Sequence, residues 1–357
     1  MLNKSYRPEI DTLRAFAVFS VIFFHLGFKS FSGGYLGVDI FFVISGYLIT
    51  SLILIELKNK EFVLINFYER RIRRIIPVLY FVILITILFS IALLKPIEMI
   101  SFGKSLIANT FFISNILFWR EGGYFDILSH HKPLFHTWSL GVEEQYYLLF
   151  PIFLLIIWKF GKRVTFVFIS ISFLISFFLA DYLVFNKSIF SFYMLPTRGW
   201  ELLAGSLSAI YLQENFKKIN NSHLKNILSF IGLFIISCSI FVYDEGTPTP
   251  SMYTLFPVVG SVMVIIFTDS KSLVLKFLSL KLFVRLGLIS FSLYLWHQPL
   301  LAFNRIYFGT NLSFLHTICI IILTFLISVI SWKLIEKPFR NKELINNKKA
   351  IGYLIVI

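Results

Sequence analysis

Residues 314–335 read FLHTICIIILTFLISVISWKLI, a stretch with a single formally charged side chain, Lys333. About 18 or more predominantly apolar residues in a row exceed what a soluble core helix needs and are enough to cross a bilayer. Several such runs recur along the 357 residues. They account for a composition that is 57% apolar and only 15% charged, against roughly a quarter charged in soluble domains. The apolar residues come in runs and do not alternate with polar ones, which reads as helix. The expected fold is therefore all-α: a polytopic bundle embedded in the lipid bilayer.

Ten spans are expected, near 12–27, 36–57, 75–94, 142–158, 164–186, 197–213, 226–243, 253–268, 286–305 and 314–335, and an eleventh begins at 350. The stretch 99–119 is apolar but contains Ser101, Lys104, Ser105, Asn109 and Asn115, and reads as interfacial or re-entrant. The first span is too polar at its start, and lacks the small-residue cleavage site, for a signal peptide. With the N-terminus in the cytoplasm, the inner segments are 1–14, 58–74, 159–163, 214–225, 269–285 and 333–349. They hold 25 of the 33 lysines and arginines, as the positive-inside rule requires. A span at 99–119 would invert everything after it and destroy that asymmetry. The domain division is thus 1–340 for the transmembrane unit and 341–357 for a cytoplasmic linker and the start of the eleventh span.

The net charge of +14 follows from this topology and calls for no nucleic acid. One segment exceeds it. Glu69-Arg70-Arg71-Ile72-Arg73-Arg74 places four arginines in five residues at the start of a span, and guanidinium forks bind phosphate bidentately. Lipid headgroups and a phosphorylated cofactor both suit it. Cys238 and Cys319 fall inside spans, with neither disulfide nor metal spacing. There is no phosphate-binding P-loop, dinucleotide fingerprint or serine nucleophile elbow, which argues against an ATP-driven pump and an ordinary serine hydrolase.

Polar groups at membrane depth are costly and mark function. Arg14 and His25 stand eleven residues apart on the first span, so roughly 16 Å separates them along the axis and about 20° around it. They cannot touch, but they share one stripe. Asp11 is placed i,i+3 to pair with Arg14. Toward the outer side lie Asp39, His136 and Trp138, the adjacent Glu143 and Glu144, the i,i+3 pair Arg198 and Glu201, and His297. Neighbouring helical positions point about 100° apart, so one of Glu143 and Glu144 faces the interior. This grouping is expected to line a polar cavity open to the outside. Histidines and carboxylates there, with arginines inside, suit transfer of a group from an inner donor to an outer acceptor. A transporter exporting a glycan or lipid-linked precursor and a non-catalytic scaffold are the alternatives. No inverted repeat supports the first, and the second leaves the histidines and carboxylates unexplained.

Several stretches, taken in order, carry a resemblance. They are Tyr6-Arg7-Pro8-Glu9-Ile10-Asp11-Thr12-Leu13-Arg14 with His25; Gly34-Tyr35-Leu36-Gly37-Val38-Asp39; Phe67 to Pro77; His136-Thr137-Trp138-Ser139-Leu140-Gly141-Val142-Glu143-Glu144-Gln145-Tyr146-Tyr147; Arg198-Gly199-Trp200-Glu201; Ser292 to His297; and Glu336-Lys337-Pro338. Together they resemble acyltransferase family 3, the membrane O-acetylases of surface polysaccharides, over residues 5–340. The resemblance implies an O-acetyltransferase of the bacterial inner (cytoplasmic) membrane. It would move an acetyl group from acetyl-CoA, a donor substrate and not a resident cofactor, to an extracytoplasmic carbohydrate such as O-antigen, peptidoglycan or exopolysaccharide.

It further implies His25 as the base and Arg14, Arg71 and Arg74, with the neighbouring Arg70, as the acyl-CoA site. Glu143, Asp39 and His297 match further polar positions of the catalytic set. His136, Trp138, Glu144, Arg198 and Glu201 are the expected acceptor contacts, and no metal is expected. Tyr146 stands where the family pattern has phenylalanine. Some members of the family continue into an extracytoplasmic hydrolase-like domain of the SGNH type. Such a domain is expected beyond residue 357, with a short tail as the alternative.

Overall fold

The computed structural model describes residues 6–122, 130–213, 219, 221–269, 272–309, 313–342 and 344–345. Among these residues the chain is helical throughout, with no strand. α1 (Pro8–His25) opens on proline, whose missing N–H is harmless in a first turn. Two single 3₁₀ turns lead into α2 (Gly37–Lys58). Next come α3 (Leu64–Leu93), α4 (Pro96–Thr110), α5 (Ser114–Glu121), α6 (Thr137–Trp158), α7 (Lys162–Asn186), α8 (Ser188–Tyr193) and α9 (Leu195–Gln213). The remainder is α10 (Ser222–Val242), α11 (Leu255–Phe267), α12 (Leu273–Leu278), α13 (Lys281–Leu288), α14 (Ser290–Phe308), α15 (Phe314–Ser331) and, after a π turn, α16 (Lys337–Arg340). Asn221, Ser272 and Ser313 cap α10, α12 and α15 by accepting from the first free N–H groups.

A helix stands at each of the ten stretches read as spans. Six are long and apolar enough to cross a membrane: Gly34–Lys58, α3, α6, α7, α10 and Phe314–Arg340. The α13–α14 pair, bent by 63°, makes a seventh if it counts as one. The others fall short for visible reasons. α1 carries Glu9, Asp11 and Arg14, α9 opens with Arg198 and Glu201, and α11 has 13 residues. The stretch 99–119 is broken between α4 and α5, where Phe112 takes a left-handed φ of 54°. The eleventh span from 350 lies outside the described residues, as does most of 341–357.

The bundle buries its polar groups within a large apolar core and turns mostly apolar faces outward. α15 buries Thr317, Thr324, Ser328 and Ser331 while exposing Ile322, Leu323, Leu326 and Ile330. Lipid is as apolar as leucine, so helices associate through close packing and hydrogen bonds. The apolar window of α2 is 67% buried against 22% for that of α15, which makes α2 central and α15 peripheral.

Close packing is clear between α2 and α9. A Cβ on Gly46 would sit 1.8 Å from the carbonyl oxygen of Leu202, and one on Gly205 would sit 1.9 Å from that of Val43. The two backbones touch there, and Thr50 Oγ1 donates to Ser206 Oγ at 2.7 Å one turn further along. Gly46→Ala must therefore push the helices apart, at a cost of about 1–3 kcal/mol or more. Its thermal midpoint in detergent is expected several degrees below that of wild type. Gly103→Ala on α4, where a Cβ meets nothing within 4 Å, should match or exceed wild type. Equal midpoints for the two variants would contradict the packing.

Candidate active site

α3 presents two faces of the arginine cluster. Residues three apart share a side of a helix, so Arg71 and Arg74 turn inward together and Arg70 and Arg73 turn away. Arg71 and Arg74 join Arg14 of α1 in the wall of one cavity. Arg14 keeps its i,i+3 partner Asp11, at 3.6 Å. The guanidinium of Arg71 lies 5.7 Å over the Tyr147 ring and 5.8 Å over that of Phe67, and its Nε has no hydrogen-bond partner. Glu143 is the carboxylate in the same wall, and its Oε1 accepts from the hydroxyls of Ser45 and Tyr147. Phe41, Phe42, Leu48 and Phe291 supply an apolar lining. Three guanidiniums against one carboxylate have the chemistry to receive an anion with an apolar attachment.

Arg70, expected at the donor site, pairs instead with Glu56 at 2.9 Å and lies outside the cavity wall. Arg73 bonds Glu69 at 2.8 Å and the carbonyls of Phe339 and Ile345, tying α3 to the end of α16. Glu144 is outside the cavity wall, with Oε1 buried and without a hydrogen-bond partner.

His25, at the other end of α1, meets α14. Its Nδ1 lies 3.1 Å from Nε2 of His297, with the rings stacked at 5.2 Å. The Nδ1 of His297 lies 2.5 Å from the carbonyl oxygen of Tyr294. A carbonyl only accepts, so that nitrogen carries the hydrogen. With both rings neutral, His297 Nε2 then accepts from His25 Nδ1, and the lone pair of His25 falls on Nε2. His297 thus sets the tautomer of His25, as an orienting group does for a general base. Arg305 donates to the carbonyl of His25, and at 3.2 Å to that of His130, whose ring is 6.1 Å from His25. His136 packs edge-on against His297 and Tyr294, both at 5.3 Å, and neither of its ring nitrogens has a hydrogen-bond partner. Among the described residues, no group of three or more His, Cys, Asp or Glu is placed to hold a metal ion.

The remaining polar residues form a separate, closed cluster. Arg198 donates to Asp39 at 2.8 Å, to Glu201 at 2.9 Å and to the Phe192 carbonyl at 2.8 Å, and lies over the rings of Trp138 and Phe192. All three charged side chains are at most 1% exposed. The expected cavity, with Asp39, His136, Glu143, Arg198, Glu201 and His297 around one outward opening, is therefore not what forms. Charges in a low-dielectric interior pair with one another, and the group divides into an ion cluster, an imidazole cluster and the arginine cavity.

Sequence reading passed over four residues. Tyr294 and Ser139 stand where the arginine cavity meets the histidines. Tyr147 orients Glu143, and Arg305 holds the backbone of His25. Tyrosine and serine at a membrane interface carry no distinguishing signal. Glu336 gains its place through the π turn Trp332–Glu336, which aims it at Ser292 on α14, 2.8 Å away.

These features define a helical membrane protein whose ionisable machinery is enclosed within the bundle. The chain belongs to the family described as the acyltransferase domain, whose profile matches residues 7–333. It is 35% identical over 373 residues to the O-acetyltransferase OatA of Staphylococcus aureus strain NCTC 8325 / PS 47, covering 99% of this chain and 60% of the relative. It is 32% identical over 361 residues to the peptidoglycan O-acetyltransferase OatA of Listeria monocytogenes, covering 98% and 58%. The putative peptidoglycan O-acetyltransferase YrhL of Bacillus subtilis is 32% identical over 354 residues, covering 94% and 55%. The chain thus spans somewhat over half the length of these relatives. No solved structure matches significantly.

Proposed function

We propose that this chain is the membrane unit of an O-acetyltransferase that takes acetyl groups from acetyl-CoA at the cytoplasmic face and delivers them to hydroxyls of cell-wall carbohydrate. The observation that carries this reading is that Arg14, Arg71 and Arg74 line one cavity whose far wall, Ser139 and Tyr294, abuts the His25–His297 pair. Coenzyme A offers several phosphates to the guanidiniums and an apolar arm to the phenylalanines. The names of the relatives from Listeria and Bacillus favour peptidoglycan as the acceptor. Ten spans with a cytoplasmic N-terminus agree with the lysine and arginine distribution and put the arginines of α3 on the donor side. α1, α9 and α11 then cross with protein, not lipid, against their polar faces.

In this mechanism His25 Nε2 accepts the proton of the sugar hydroxyl as its oxygen bonds to the acetyl carbonyl carbon. The carbon–sulfur bond breaks, and the proton lost by the hydroxyl ends on the coenzyme A thiol. Arg71→Ala/Arg74→Ala removes two charge-assisted contacts of about 1.5–3 kcal/mol each. Calorimetry on the solubilised protein is expected to show saturable acetyl-CoA binding, weakened by about 100-fold or more in the double variant. A folded double variant that binds as wild type does would remove the donor site from this cavity.

A further inference from the structure

The arginine cavity and the imidazole cluster adjoin but are not joined, and Tyr294 belongs to both. Its ring contributes to the cavity wall beside Ser139 and Phe41, and its other side packs on His136 and His297, at 5.3 and 5.4 Å. None of the residues lining the cavity is a histidine. The tyrosine hydroxyl is held from two directions. It donates to the carbonyl of His136 at 2.8 Å and lies 2.6 Å from Ser139 Oγ. Ser139 Oγ also lies 3.3 Å from that carbonyl, so the two hydroxyls and the carbonyl form one hydrogen-bonded triangle. Helices α6 and α14 are thereby latched between the arginine cavity and the imidazole cluster.

We infer that Tyr294, latched by Ser139, is a partition that shields the donor thioester from water and from the histidine base until the acetyl group is transferred. This rests on the acetyl-CoA reading of the arginine cavity. The chemistry gives a reason for such a wall. A thioester beside an imidazole base and free water hydrolyses. The water oxygen bonds to the carbonyl carbon and the carbon–sulfur bond breaks. One water proton ends on the coenzyme A thiol, and acetic acid gives up the other to solvent as acetate. Excluding water until the acceptor is in place suppresses that loss. The state behind the wall is poised for change, because both ring nitrogens of His136 are buried without partners. Such groups are costly, and displacement of Tyr294 would let an incoming polar group satisfy them.

The test reads coenzyme A thiol released by the purified full chain from acetyl-CoA with no acceptor present, alongside acetyl-CoA binding. Wild type should bind and release little. At saturating acetyl-CoA, Tyr294→Ala should release thiol about tenfold faster or more than wild type. Ser139→Ala, which keeps the ring and loses the latch, should show a smaller increase. His25→Ala placed on Tyr294→Ala should abolish the leak, because the opened path leads to that base. Release at the wild-type rate by a Tyr294→Ala protein that still binds overturns the partition, and so does a leak that survives the loss of His25. Should Tyr294→Ala fail to fold, Ser139→Ala and Tyr294→Phe decide by the same ratio. A well-folded wild type that binds no acetyl-CoA overturns the donor reading beneath it.

Discussion

Replacing His25 with alanine will stop acetyl transfer to carbohydrate while acetyl-CoA still binds near its wild-type affinity. The separation follows from the layout. His25 is outside the wall of the arginine cavity, so its loss leaves the donor's partners intact. Its own position is over-determined by the His297 ring and by Arg305 on its carbonyl, so alanine removes the base with little else changed. General-base catalysis contributes about 10²–10⁴-fold, and the loss in transfer rate should fall in that range. The measurement pairs acetyl-CoA calorimetry with a transfer assay on a soluble glycan fragment. Transfer retained by a protein without His25 would take the base away from this residue. Loss of binding together with transfer would mean that the two clusters are one site.

The second large effect is on folding. Arg198→Met leaves Asp39 and Glu201 facing each other with no cation between them, in a place at most 1% exposed. Removing one partner of a buried ion cluster costs about 3–5 kcal/mol, since the charge left behind is uncompensated. That is a large part of the roughly 5–15 kcal/mol of an ordinary domain. The variant should accumulate poorly, and what is purified should unfold well below wild type in detergent. Adding Asp39→Asn and Glu201→Gln to Arg198→Met removes the stranded charges and should recover much of the loss. A single variant as stable as wild type would mean that these carboxylates reach water or protons by another route.

The membrane-spanning character was legible because apolar runs need no partner to be recognised. α1 is a different case. Its charges disqualify it as a lipid-facing span, and only its packing at the centre of the bundle explains how Glu9, Asp11 and Arg14 are buried. The pairing of Arg71 with Arg74 on one face was legible from i,i+3 spacing, but Arg70 is i,i+4 to Arg74 and only its pairing with Glu56 sets it aside. What sequence could not supply were meetings across the chain. His25 finds His297 from 272 residues away, and Arg198 finds Asp39 from 159. Local periodicity carries no information about such pairs. The sequence grouped the outer polar residues by depth alone, and depth does not say which charge neutralises which. The resemblance to acyltransferase family 3 filled part of that gap by naming the residues, without saying that Tyr294 and Ser139 stand between them.

The glycine contacts of α2 and α9 have a consequence for how the sequence can vary. At position 46 the obstacle is the carbonyl of Leu202, and at 205 it is that of Val43. A main-chain oxygen is the same whatever residue carries it. No replacement of Leu202 or Val43 can make room, so a side chain at either glycine has no compensating partner elsewhere. Pairs of side chains in contact can drift together over generations, each change tolerated through the other. These two positions cannot, and correlated substitution would be silent where these two backbones meet.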